Sequence, residues 1–274
     1  MKVYLSSDME GTAGVVDWDQ CTAEGRDYAR FVSLLTDEIN AAIEGAVEGG
    51  ATEFVVNDSH SAMHNLDPRA LSGGARLISG RYKPMYMMEG LDGSFDAVFL
   101  VSYHGSMGAE RAVLSHTYSS RAIAEVWIDD RIAGEAAINA LVASAYGVPI
   151  VLVTGDRTTE IETRPFCPDA RFAVVKDSIS RFAANSLHPS EACALIRREA
   201  RFAVEGAASA RQRDFSPHTT ITVRFTTADY ADLADRIVGV ERVDALHARI
   251  SSADPLELYR TFLTVVYLTR GLAS

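Results

Sequence analysis

Val3-Tyr4-Leu5-Ser6-Ser7-Asp8-Met9-Glu10-Gly11 is a short apolar run that ends in two carboxylates and a glycine. Apolar runs of this length, bounded by turn residues, read as buried strands. The pattern recurs twice. Glu53-Phe54-Val55-Val56 runs into Asn57-Asp58-Ser59-His60, and Ala97-Val98-Phe99-Leu100-Val101 runs into Ser102-Tyr103-His104-Gly105. Side chains alternate faces along an extended chain, so Asp8 and Glu10 are expected to point the same way. Ligand-type residues at the ends of neighbouring strands can converge in space while far apart in sequence. Two carboxylates and two imidazoles facing one pocket suit zinc or a similar divalent ion.

Helical patterns separate the strands. Phe31, Leu34, Leu35, Ile39, Ala42, Ile43, Ala46 and Val47 follow helical spacing and stop at Gly49-Gly50. Further strands are expected near 76–78, over 123–128 and over 149–153, with a helix over 136–146. This alternation predicts an α/β fold: a three-layer domain with a largely parallel sheet over residues 1–185. Ligands of such sheets bind beyond the carboxyl ends of the strands, where the three opening motifs lie. After residue 185 the texture changes. A helix over 190–206, with Glu199 interrupting its apolar face, leads into a polar stretch, 207–217, that reads as a linker. Thr219 to Phe225 then alternates as a strand with one wet face, and helices follow near 228–236 and 256–269. Residues 186–274 are therefore expected to form a smaller α+β domain.

Composition narrows the function. The chain has 274 residues, and 26 basic against 37 acidic residues leave a net charge of −11. No basic stripe marks a nucleic-acid binder, and Arg197-Arg198 with Arg201 reads as a solvated helix face. No apolar run approaches the ~18 residues of a membrane span. Met1-Lys2 leads straight into a strand without a signal-peptide region. Cys21, Cys167 and Cys193 are widely spaced and form no CxxC pair. A cytoplasmic protein with reduced thiols is expected.

Several residues carry two readings at this level. Asp8 and Glu10 fit surface carboxylates on a loop or a metal-binding pair whose mutual repulsion a cation offsets. His60 fits a loop histidine beside turn formers or a ligand oriented by Asp58. His64 sits in a loop-like stretch and reads as incidental. His104 fits a hydrogen-bonded strand-end residue as well as a ligand. His116 follows Ser115, but adjacent residues on a strand face opposite sides and no GxSxG elbow is present. His116 is better suited to acid/base work or transition-state stabilisation than to activating that serine. Glu135 opens a helix, where carboxylates are favoured anyway. Asp129 and Asp130 read as turn residues. HExxH, P-loop and GxGxxG motifs are absent.

Taken together the motifs resemble the zinc-dependent D-aminopeptidase family of the dipeptide-transport-operon type. The likeness starts with Ser-x-Asp-x-Glu-Gly at 6–11 and extends through Asn57-Asp58-Ser59-His60, Leu77-Ile78-Ser79-Gly80, Lys83-Pro84, Glu89-Gly90-Leu91-Asp92, Tyr103-His104, Ser115-His116, Ile128-Asp129-Asp130-Arg131 and Gly134-Glu135. The stretch Lys176 to Arg181 also matches. The resemblance implies two zinc ions per subunit held by Asp8, Glu10, His60, His104 and Glu135, with Asp8 bridging, and a catalytic His116. It further implies a ring-stacked homodecamer enclosing the active sites. The implied reaction is removal of the N-terminal residue, a D-amino acid, from short peptides by water activated at the two zincs. The rival readings are another two-metal amidohydrolase or a phosphoesterase, with Arg131 and Lys83 as candidate phosphate binders, and a non-catalytic peptide-binding transport component.

Overall fold

The computed structural model describes residues 1–215 and 218–272. Its elements are β1 (Lys2–Ser7), α1 (Tyr28–Glu48), β2 (Glu53–Asp58), β3 (Arg76–Ile78), β4 (Ala97–Tyr103), β5 (Ile123–Ile128), β6 (Arg131–Ile132), α2 (Glu135–Ala145), β7 (Ile150–Asp156), α3 (Arg157–Thr163), β8 (Arg171–Ser180), β9 (Ala183–Ser186), α4 (Pro189–Gly206), β10 (Thr220–Phe225), α5 (Ala228–Ala234), β11 (Val240–Arg242), β12 (His247–Ser251) and α6 (Pro255–Leu272).

β1, β4 and β7 are buried along nearly their whole length, as the central strands of a sheet covered on both faces must be. They lie in a seven-stranded sheet of order β3-β2-β1-β4-β7-β8-β9, parallel except for β9. Side-chain alternation divides the core. Val3, Leu5, Phe99 and Val101 face α1 and α4, whereas Tyr4, Val98, Leu100 and Tyr103 face α2 and α6. Phe31, Leu35, Ile39, Ala42 and Ala46 form the buried stripe of α1, and Gly49 closes that helix.

β5 is the exception to the expected parallel order. It pairs antiparallel with β10 in a second sheet of order β11-β12-β10-β5-β6. Its burial explains the difference: Ala124, Glu125 and Trp127 are only partly covered, so it fits a sheet with one face toward water. α4 packs against α1 on the first sheet. The two sheets therefore do not part at residue 185, since β5 and β6 belong to the second and β9 and α4 to the first. Glu199, the charge on the apolar face of α4, accepts a hydrogen bond from Arg171 Nε of β8 at 2.6 Å. Of the stretch read as a linker, Ser216 and Pro217 lie outside the described residues.

Candidate metal centre and active-site cavity

Parallel strands carry the ligand-type residues to one crevice. β1, flanked by β2 and β4, delivers Asp8, and those neighbours deliver His60 and His104 at the same sheet edge. Asp8 N still donates to Val101 O at 2.9 Å, but the chain then leaves the strand. A turn closes with Thr12 N donating to Met9 O at 3.1 Å, so Asp8 and Glu10 converge through a turn rather than through strand alternation. Gly11 makes this possible. Its N–H donates to Ser102 O at 2.8 Å, and a Cβ there would lie 2.0 Å from Tyr103 O. Glu135 enters from the first turn of α2, and Tyr118 N donates to its Oε1 at 2.7 Å.

All five residues are buried and meet in two overlapping groups: Asp8, Glu10 and His60, and Asp8, His104 and Glu135. Asp8 belongs to both. Its Oδ1 lies 3.2 Å from His60 Nδ1, and its Oδ2 lies 3.3 Å from His104 Nε2. His60 Nδ1 is also 3.0 Å from Glu10 Oε2. A third group joins Glu10, His104 and His116.

Backbone carbonyls set the histidine tautomers, because a carbonyl only accepts. His60 Nε2 donates to Cys21 O at 2.7 Å, and His104 Nδ1 donates to Gly105 O at 2.9 Å. The remaining nitrogen of each ring aims a lone pair at carboxylate oxygens. Lone pair against lone pair is repulsive unless a cation or a proton sits between. Accordingly Asp8 Oδ2, Glu10 Oε2 and His104 Nε2 are buried without a hydrogen-bond partner. A buried donor set of carboxylates and imidazoles with inward-facing orphan atoms fits divalent zinc.

The protonation equilibria show the same demand for positive charge. Burial opposes a charge on His60, but Glu10 and Asp8 outweigh it and push the pKa well up. Burial likewise opposes a charge on His104, and Asp8 drives its pKa to about 10. Burial would raise Glu10, yet His60 holds it well below the usual carboxylate range. Burial lifts Glu135 to about 7 against the pull of His104.

His116 lies on the loop between β4 and β5 and stacks on His104, with ring centroids 4.3 Å apart. Its Nδ1 donates to Leu114 O at 2.9 Å, and its Nε2 stands 3.8 Å from Glu135 Oε1. Burial and neighbouring His104 push its pKa down to about 4. These groups open into a cavity of about 400 Å³, lined also by Trp18, Tyr86, Tyr118 and Arg270. Tyr86 (φ 49°) and Tyr118 (φ 58°) on its walls both hold left-handed backbone, as does Leu114 (φ 50°) beside His116. Such conformations cost of order 1–3 kcal/mol and cluster at functional sites.

Other expectations need correction. Asp58 does not orient an imidazole. Its Oδ2 accepts from Leu66 N at 3.0 Å and its Oδ1 from Asn65 Nδ2 at 2.7 Å, so it pins the loop after β2. Lys83 points inward, donating to Asn57 Oδ1 at 2.7 Å and Asp58 O at 2.6 Å. Arg131 lines a separate surface pocket. Neither candidate phosphate binder lines the ligand cavity. His64 is exposed. Sequence reasoning missed Trp18, Tyr86, Tyr118 and Arg270, which no periodic or motif signal marks. It also missed Glu38, which was visible as a lone acid within the apolar stripe of α1. Glu38 accepts from Ala13 N at 2.8 Å and from Ser102 Oγ at 2.7 Å.

Fold and cavity define an α/β enzyme with a metal-type donor set at the carboxyl edge of a parallel sheet. The model of the peptidase M55 family, described as D-aminopeptidase, matches residues 1–264. The D-aminopeptidase of Bacillus subtilis (strain 168) is 34% identical over 269 residues, covering 98% of this chain and 97% of that protein. A solved structure, the Zn-dependent D-aminopeptidase DppA from Bacillus subtilis, described as a self-compartmentalizing protease, matches with a TM-score of 0.93 at 33% identity over 98% of each chain. The chain belongs to the D-aminopeptidase family and is a peptidase.

Proposed function

We propose that this protein is an aminopeptidase that removes a D-residue from the N-terminus of short peptides at a centre of two zinc ions. The observation that carries the reading is the division of Asp8 between its neighbours. One carboxylate oxygen faces His60 and the other faces His104, and Asp8 Oδ2, Glu10 Oε2 and His104 Nε2 are buried without a hydrogen-bond partner. Asp8, Glu10 and His60 would hold one ion, and Asp8, His104 and Glu135 the other. When bound, the zinc pair lowers the pKa of a water and polarises the scissile carbonyl.

The chain's own groups supply the rest. Burial of the ligands excludes bulk water and strengthens each electrostatic contact. The Leu114 carbonyl keeps the His116 hydrogen on Nδ1, so Nε2 faces the cavity as an acceptor. A pKa pushed down to about 4 leaves that imidazole neutral near pH 7. His116 Nε2 takes up a proton released during attack and hands it to the leaving nitrogen. Tyr118 N holds Glu135 Oε1 and so fixes that carboxylate.

The D preference is supported by the family description and by the Bacillus subtilis matches in sequence and structure. The self-compartmentalizing character of DppA supports a homo-oligomer that encloses its sites, which we propose to be a decamer. The three cysteines are free thiols, which supports a reducing, cytoplasmic location. Among the described residues no helix is long and apolar enough to cross a membrane.

The test is an assay of zinc-loaded protein on matched D- and L-aminoacyl amides and short peptides, with a phosphate ester as control. Cleavage of the D-substrates is expected. Turnover of the phosphate ester alone would refute the peptidase mechanism, and equal rates on both stereoisomers would refute the D preference. Light scattering that shows only monomer at micromolar concentration would refute the oligomer.

A further inference from the structure

The cavity has two electrostatic ends. Its buried floor carries Asp8, Glu10 and Glu135, and its rim carries the guanidinium of Arg270 from the last turn of α6. Arg270 Nη1 donates to Tyr86 Oη at 3.1 Å, which uses one of its five N–H groups. Among the described residues no Asp or Glu pairs with it, although such a fork is built for a carboxylate. It is nonetheless close enough to Glu135 to feel that charge. Tyr86 spans the interval: its ring packs on Tyr118 with centroids 5.3 Å apart, and Tyr118 N holds Glu135. Burial raises the Tyr86 pKa, Arg270 opposes the rise, and Glu135 and Asp8 add to it. The guanidinium and the acidic floor thus share one cavity, near enough to interact and too far apart to pair.

A short peptide zwitterion has the complementary layout. Its amine and scissile carbonyl belong at the floor, and its terminal carboxylate lies two or three residues away, at up to ~3.5 Å per residue. A cavity of about 400 Å³ has room for a ligand of that size.

We propose that Arg270 binds the C-terminal carboxylate of the substrate, which makes the protein selective for di- and tripeptides with a free carboxyl end over amides and longer chains. This rests on the aminopeptidase reading. Arg270 is a specificity residue here. It does not touch the reacting bond, and Tyr86 orients it.

The alternative is that Arg270 only braces Tyr86 and the end of α6, where a cation is favoured anyway. Binding separates the two. Calorimetry on the zinc-loaded full chain would use a non-hydrolysable reduced-amide analogue of D-alanylglycine and the C-terminal amide of the same analogue. A charge-assisted pair of this kind predicts roughly 10–100-fold tighter binding of the free acid. Arg270→Gln should bring the acid-to-amide ratio close to one, and Arg270→Lys should restore part of it. The ratio does not depend on the fraction of folded protein, so a poorly folding variant still reports. Equal affinity of acid and amide in the unaltered protein would overturn the proposal, as would an undiminished ratio in Arg270→Gln. Peptide cleavage on the same preparations keeps the premises apart. Cleavage without acid preference removes the role of Arg270 alone, and acid-selective binding without cleavage removes the peptidase reading alone.

Discussion

His104 and His116 stack face to face, with ring centroids 4.3 Å apart and planes 10° from parallel. His104 turns its free nitrogen toward Asp8, while His116 turns its own toward the cavity beside Glu135. On the proposed mechanism, this stack would place one imidazole in the ligand set and leave the other free for proton transfer. His116→Ala is therefore expected to keep its zinc and to lose turnover by ~10²–10⁴-fold, with the loss in kcat more than in KM. Zinc content and kinetics on one preparation check this. Because His116 also groups with Glu10 and His104, a variant that loses metal together with activity would make it a ligand instead.

Asp8→Ala should be the most damaging change among the five ligand-type residues. It removes both oxygens around which His60 and His104 are arranged. Altering groups that merely orient a ligand usually costs ~10–100-fold in metal affinity or activity, and loss of a shared ligand should exceed that. Metal analysis after gel filtration would reveal the outcome, and near-normal occupancy with normal turnover would contradict a bridging role.

Lys176 is buried, and its Nζ donates to Glu10 O at 2.5 Å, Thr12 O at 2.9 Å and Val15 O at 2.8 Å. It clamps the turn that carries Glu10. Lys176→Met keeps the stem but strands three carbonyls, each at a cost of about 1–3 kcal/mol. We expect a drop in stability of roughly 3 kcal/mol or more and zinc binding weakened by ~10-fold or more. Urea denaturation and chelator competition measure the two effects separately. Unchanged zinc affinity would limit Lys176 to a role in folding.

Glu38 supplies a pH dependence. Burial pushes its carboxyl from 4.5 up to about 7, against the pull of the Ala13 and Ser102 hydrogen bonds. A raised folded pKa means that its stability contribution is complete below 4.5 and is lost as pH rises through about 7, because the unfolded chain ionises first. At about 1.4 kcal/mol per unit the loss is bounded at roughly 3.5 kcal/mol. Glu38→Gln mimics the protonated group, so it should stabilise the protein at pH 8 and change it little at pH 5. Denaturation midpoints for both proteins at the two pH values test this, and a variant less stable than the parent at pH 8 would refute it.

The sequence alone marked the central strands β1, β2 and β4, but not β6, β8, β9, β11 or β12. Val3 to Leu5, Phe54 to Val56 and Val98 to Val101 are continuous apolar runs, and buried parallel strands require such runs on both faces. The helical stripe of Phe31, Leu35, Ile39 and Ala42 was legible for the same reason, since periodicity is a local property of the chain. So were Asp8, Glu10, His60 and His104 as candidates, because ligand types at strand ends mark the crevice of an α/β sheet. Only the tertiary structure decided what depends on pairing across long separations. It placed β5 beside β10 rather than in the parallel sheet, and it closed the turn that brings Glu10 to Asp8. It set Cys21 O against His60 Nε2, a contact that residue type does not encode because any residue offers a carbonyl. It turned Asp58 and Lys83 away from the cavity and brought Arg270, near the far end of the chain, to its rim. Local pattern specifies which residues are buried and which are strand ends. Which groups then share a cavity follows from how the two sheets and α6 close around it.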